Sequence, residues 1–347
     1  MNTVERKWGA IVGIEDRVER VLKKLKLNKF YPFPFARSGF WQTIYGSQWP
    51  ILKPSKPDFF HHLVLPDGDI LVMAENRPKR WKTGSRIMLL IHGLSGSHES
   101  VYMQRMCRRM QKKGYMVLRL NLRFSGPGRG LSRKPYHCGV SDDARFVLEW
   151  IKKQYPDSPV TQIGFSLGGN LTLKMAGEDG SRPSGNLDSI VAVSAPVDLA
   201  RAAELFGQNP FLQKIFVRTL KRDLDLMKKL YPNTPYLDIA HNISIREFDE
   251  QHTAPMHGFK DAMDYYRKCS SIHFIPEIKV PALILSSHDD PIADPARLHN
   301  VHHSDNVDIL LTDKGGHVGF LGFGTEYNEV RWSDQAIARW LEDTMAI

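Results

Sequence analysis

The run Gly164-Phe165-Ser166-Leu167-Gly168-Gly169 constrains the fold of this 347-residue chain more than any other feature. An apolar run over 159–165 leads into it, and a helical pattern over 171–177 follows. A strand can pass into a helix over so few residues only through a sharp turn. Small residues on both sides permit one. Ser166 then stands at the apex with its Oγ exposed, a candidate nucleophile. The next backbone N–H, that of Leu167, lies at a helix N-terminus, where positive potential favours a developing anion. A glycine-rich turn with an incidental serine is the plain alternative, and the flanking strand and helix weigh against it.

The rest of the chain repeats the alternation. Strand-like runs cover 60–65, 70–74, 86–92, 115–121, 159–165, 189–194, 281–286 and 307–311, with Pro66-Asp67-Gly68 as a hairpin turn between the first two. Several are continuously apolar, as central parallel strands covered on both faces must be. Helical patterns fall at 100–113, 142–153 and 336–345, and Asp294-Pro295 has the residues to open another. Residues 1–30 carry Ile11, Ile14, Val18, Val21, Leu22 and Leu25 at helical spacing, and the Pro-aromatic stretch 31–35 suits extended chain. Residues 200–275 show no convincing strand; 211–230 read as a basic amphipathic helix or helix pair. The expectation is an α/β fold, a mostly parallel eight-stranded sheet flanked by helices. A lead over 1–45 precedes core segments 46–199 and 276–347, and a helical cap over 200–275 covers the C-terminal edge of the sheet.

A serine hydroxyl needs a base to become nucleophilic. The strand over 280–287 runs into His288-Asp289-Asp290-Pro291, so either aspartate could orient an imidazole. After the last strand, Gly315-Gly316-His317-Val318-Gly319 offers His317 as general base, with room on both sides for substrate. The early strand ends in His92-Gly93-Leu94-Ser95-Gly96, and the Leu94 N–H is the candidate second oxyanion donor beside Leu167. His92 reads as packing for that turn.

Together these segments resemble the YheT-type α/β hydrolases, the branch that includes animal abhydrolase-domain lipid esterases. The resemblance runs from about Arg37 to the C-terminus. It is carried by Gly39-Phe40-Trp41-Gln42-Thr43-Ile44, the turn from Gly93 to Ser100, the elbow, Arg246-Glu247-Phe248-Asp249, Thr253 to Phe259, Tyr265-Tyr266, and the two loops around Asp290 and His317. It implies the α/β-hydrolase fold and an acyl-enzyme mechanism on carboxylic or lipid esters. It also implies a Ser166–Asp290–His317 triad supported by Gly93, Gly164 and Gly168, and neither metal nor organic cofactor. Two positions depart. Phe40 replaces a histidine of the family, and Asn121-Leu122-Arg123-Phe124-Ser125 places Phe124 where relatives have glycine, which bears on substrate shape. Acyl transfer to an alcohol or thiol uses the same residues and is the alternative; a non-catalytic binder on this fold is the more distant one.

Composition narrows the partners. Cys107, Cys138 and Cys269 are too few and too scattered for a disulfide framework, and no run of uncharged apolar residues is long enough to span a bilayer. A reducing cytoplasm is the expected compartment, with peripheral contact to an anionic membrane allowed. The formal charge of +9 is unevenly placed. Residues 100–135 hold ten Lys or Arg and no acid, and residues 1–30 and 211–230 are also basic, which suggests a basic rim facing acidic lipid or an anionic ester. Without a nucleic-acid motif the pI alone does not imply that partner. His299, His302 and His303 have helical spacing with Asp305 nearby, a pattern more often solvated than metal-binding. His61 and His62 are adjacent on a strand and face opposite ways.

Overall fold

Each of the eight apolar runs becomes a strand of one sheet. They are β1 (Phe59–Val64), β2 (Ile70–Asn76), β3 (Ile87–Ile91), β4 (Met116–Asn121), β5 (Val160–Phe165), β6 (Leu187–Val193), β7 (Ala282–Ser287) and β8 (Val307–Thr312). The computed structural model describes residues 14–49, 54–233, 242–323 and 330–345, with 238 and 240. The strand order is β1-β2-β4-β3-β5-β6-β7-β8; β2 pairs antiparallel with β1 and β4, and every other pairing is parallel.

Burial explains why the central strands lack polar alternation. Ile87, Leu89 and Ile91 enter one apolar cluster, Met88 and Leu90 the other, and all five are fully buried. Successive side chains point to opposite faces, so a sheet covered on both sides needs an unbroken apolar run. Each such side chain contributes about 2 kcal/mol by leaving water.

The helices α1 (Ile14–Lys24), α2 (Gly39–Gln48), α3 (Val101–Lys112), α4 (Ser141–Gln154) and α5 (Leu167–Asp179) come before β6. Between β6 and β7 the described residues contain helices and loops only: α6 (Leu199–Gln208), α7 (Pro210–Leu230), short turns over 245–256, and α8 (Ala262–Cys269). The chain ends in α9 (Trp332–Met345). Ile11 and the start of the N-terminal amphipathic stretch lie outside the described residues. No described helix is long and apolar enough to cross a membrane.

Two expectations change. Asp294-Pro295 opens only a single 3-10 turn, Ala296–His299, with Asp294 Oδ1 accepting the Ala296 N–H. His302 and His303 therefore do not share a helix face with His299. The 31–35 stretch is partly extended: Tyr31–Pro32 pairs with Gly322–Phe323, and a 3-10 turn follows at Pro34–Ala36.

Candidate active site

The elbow is built from close backbone contacts. Ser166 has φ 53° and ψ −121°, a strained conformation for a residue with a Cβ. Its N–H donates to the Val193 carbonyl, and its carbonyl accepts from Gly169 and Asn170. A Cβ on Gly164 would stand 2.1 Å from the Gly168 oxygen, and one on Gly168 2.5 Å from the Ile91 oxygen. Only glycine allows the strand and helix to pass this closely. Gly93 approaches the serine itself, for a Cβ there would lie 2.9 Å from that of Ser166.

His317 hangs from the loop after β8. Its Nε2 lies 2.7 Å from Ser166 Oγ, and its Nδ1 lies 2.9 Å from Asp290 Oδ2 and 3.1 Å from Oδ1. A carboxylate accepts at Nδ1, so the proton resides there and Nε2 is free to accept the serine proton. Asp290 is itself fixed, because its Oδ1 accepts the N–H groups of Ile292 and Ala293. Its neighbour Asp289 turns elsewhere: Oδ1 accepts the Gly316 N–H, and Oδ2 is 3.9 Å from Lys314 Nζ. Of the two candidates, Asp290 is the one set against the imidazole.

A helix that periodicity did not reveal holds the histidine loop. In α2, Thr43 Oγ1 accepts the His317 N–H at 2.9 Å and donates to the Gly39 carbonyl. Gln42 donates to the Ala36 and Leu321 carbonyls and accepts the Leu321 N–H. The buried residues of this helix are Gly39, Gln42 and Gly46, an i, i+3, i+7 stripe without an apolar side chain. Hydrophobic patterning could not mark it; only the family resemblance touched this segment.

The early turn is pinned by two tyrosines that no sequence signal singled out. The Gly93 N–H donates to Tyr102 OH, and the Ser95 N–H to Tyr136 OH. Leu94, between them, lines the same cavity as Leu167, Ser166 and His317. His92 is fully buried: Nδ1 donates to the Gly93 carbonyl, and Nε2 accepts the Leu122 N–H. Burial pushes its pKa down to about 4, so it is a neutral brace.

The cavity is mainly apolar and open at its mouth. Phe206 from α6 and Phe216, Leu220 and Leu224 from α7 form its cap side. Phe124 also lines it, at φ 60°, a conformation that glycine adopts without strain. Asp223 of α7 and Asp249 are the acidic groups of the cap wall, and Asp249 accepts from Tyr266 OH and Thr253 Oγ1. Burial raises its pKa to about 6.

Three of the ten cations in 100–135 are taken up inside the fold. In 100–135, Arg105 is buried against Asp334, and Arg119 against the His98 and Ser55 carbonyls and Asn76. Arg123 pairs with Asp67, Asp69 and Asp143. These three guanidinium groups brace the core rather than form a lipid-facing rim. Among the described residues no group of three or more His, Cys, Asp or Glu is placed to hold a metal ion. His303 contacts Arg17, the His299 ring lies against His288, and His61 pairs with Glu75.

Comparison with known proteins agrees with this architecture. Residues 86–322 match the family model described as alpha/beta hydrolase fold. YheT of Escherichia coli, which carries an esterase name, is 31% identical over 289 residues, 82% of this chain and 84% of that protein. The medium-chain fatty acid ethyl ester synthase/esterase 2 of Saccharomyces cerevisiae is 26% identical over 73% of this chain, and the match spans 61% of the yeast protein. An esterase structure from Pyrococcus furiosus shares the fold, with TM-score 0.53 and 18% identity over 82% of this chain and 91% of that one. The chain belongs to the α/β hydrolase family, in its YheT-type branch.

Proposed function

We propose that the protein cleaves carboxylic esters with apolar acyl groups through an acyl-enzyme on Ser166. The observation that supports this reading is the hydrogen-bonded line Ser166–His317–Asp290 opening onto an apolar cavity. His317 Nε2 removes the Ser166 proton as Oγ attacks the acyl carbonyl, and the C=O electron pair moves onto oxygen. The Leu94 and Leu167 N–H groups stabilise that oxyanion, with the N-terminus of α5 adding positive potential. The tetrahedral species collapses, the C–O bond to the alcohol breaks, and His317 returns its proton to the departing oxygen. Water then repeats the sequence on the acyl-enzyme and releases the acid. Asp290 keeps the imidazole in the productive tautomer and offsets its transient charge.

The chain is a carboxylesterase- or lipase-like hydrolase by family. The cap supports the finer substrate class: Phe206, Phe216, Leu220 and Leu224 suit an acyl chain. Acyl transfer to an alcohol is a second reading, favoured by the synthase/esterase name of the yeast relative. A fluorophosphonate probe tests the nucleophile directly. Stoichiometric labelling of the Ser166 peptide is expected, and a folded, unlabelled protein would reject the proposal. Products formed from a medium-chain ester with added ethanol separate the readings: free acid for hydrolysis, ethyl ester for transfer.

A further inference from the structure

Helix α2 packs Phe40 and Ile44 on the cap cluster but also turns an aromatic face outward. Its buried stripe is Gly39, Gln42 and Gly46, while Trp41 and Tyr45 on another face, and Trp49 at the C-cap, are exposed. A helix gains stability by burying its apolar face, so an outward aromatic face on a packed helix calls for a second medium.

The exposed rings extend beyond the helix. Phe33 meets Phe35, Trp49 and Phe323 with centroids 5.4, 6.3 and 4.6 Å away. Tyr45 links Phe35 to Trp41, and Phe40 links Trp41 to Phe211 of the cap helix α7. Phe35, Phe211 and Phe323 are each more than half exposed. Six of the twelve exposed large apolar side chains among the described residues, Phe35, Trp41, Tyr45, Trp49, Phe211 and Phe323, are joined by these contacts, so they form a patch and not scatter.

Exposed cations border it. Exposed Arg37 lies between Phe35 and Trp41 in sequence, and exposed Lys214 and Arg218 flank Ile215 on α7. Tryptophan and tyrosine rings suit a headgroup layer, having an apolar body and a polar tip. Two copies of a basic patch would repel each other, which disfavours a homodimer here.

We propose that this ridge docks the protein on an anionic lipid bilayer, rings in the headgroup region and Arg37, Lys214 and Arg218 facing acidic headgroups. The other side of α2 carries the His317 loop, and Phe40 joins the cap cluster, so docking would bring the cavity to the lipid surface. The inference is independent of ester cleavage, since binding is read without turnover.

Flotation with phosphatidylcholine vesicles, with and without phosphatidylserine, tests it. The wild-type protein and Ser166→Ala should float equally with anionic vesicles, and brominated lipid should quench tryptophan fluorescence. Phe35→Ser/Trp41→Ser/Phe211→Ser should lower partitioning about tenfold or more, and Arg37→Glu/Lys214→Glu/Arg218→Glu should abolish the anionic preference. Both variants should keep the wild-type circular dichroism spectrum and urea midpoint, which confirms folding. Added salt should weaken binding without removing the aromatic share. Absence of wild-type binding, or variants that bind as tightly as wild type, would overturn the proposal. So would concentration-dependent self-association lost in the aromatic variant without vesicle binding, which would assign the ridge to a second copy.

Discussion

Asp289 and Asp290 are adjacent carboxylates with different surroundings. Asp290 touches the imidazole, whereas Asp289 ties the Gly316 amide. On the proposed mechanism, Asp290→Asn favours the wrong histidine tautomer and lowers kcat by about 10³–10⁴. Asp289→Asn keeps an acceptor for Gly316 and should change kcat by less than about tenfold. Steady-state kinetics of both variants check this; equal losses would contradict the assignment. The sequence offered both residues, because the distinction depends on the loop turning so that the Ile292 and Ala293 amides grip one side chain. Ser166 and His317 were easier to read, each lying on a glycine-rich loop after an apolar strand.

At the scale of elements, strands were legible and α2 was not, for one physical reason. Burial on both faces writes an unbroken apolar run into β3 and β5. Burial of α2 against the loop backbone requires small residues and a hydrogen-bonding amide instead. That helix makes its own prediction. Thr43→Val leaves the His317 N–H without its acceptor, so the loop loosens and kcat falls about tenfold or more with KM for a short ester nearly unchanged. Thr43→Ser should restore the rate. A Thr43→Val enzyme with wild-type kcat would show that the loop holds without this latch.

Across the whole molecule, charge was the least legible property. A residue count places ten cations in 100–135, but Arg105, Arg119 and Arg123 meet partners from distant segments and lie in or beside the core. Only the fold separates these from the exposed Arg37, Lys214 and Arg218. Burial also governs acid stability. His92 and His252 are both buried, and each has its pKa pushed down to about 4. Their unfolded forms take up protons near pH 6.5, so the stability they hold at neutral pH is lost as pH falls through 6.5 to 4, up to about 3 kcal/mol for each. Asp249, raised to about 6, acts in the opposite sense over much of that window and offsets part of the loss. The urea midpoint should therefore drop between pH 7 and 4.5, and the drop should shrink in His252→Gln; a flat profile would contradict this.

The central claim is that Ser166 carries the acyl group. The most direct test is the turnover of p-nitrophenyl esters by the purified wild type and by Ser166→Ala, with circular dichroism confirming that both are folded. Wild-type turnover should be measurable and should fall by about 10⁴ or more in the variant. Turnover unchanged by the substitution would contradict the claim.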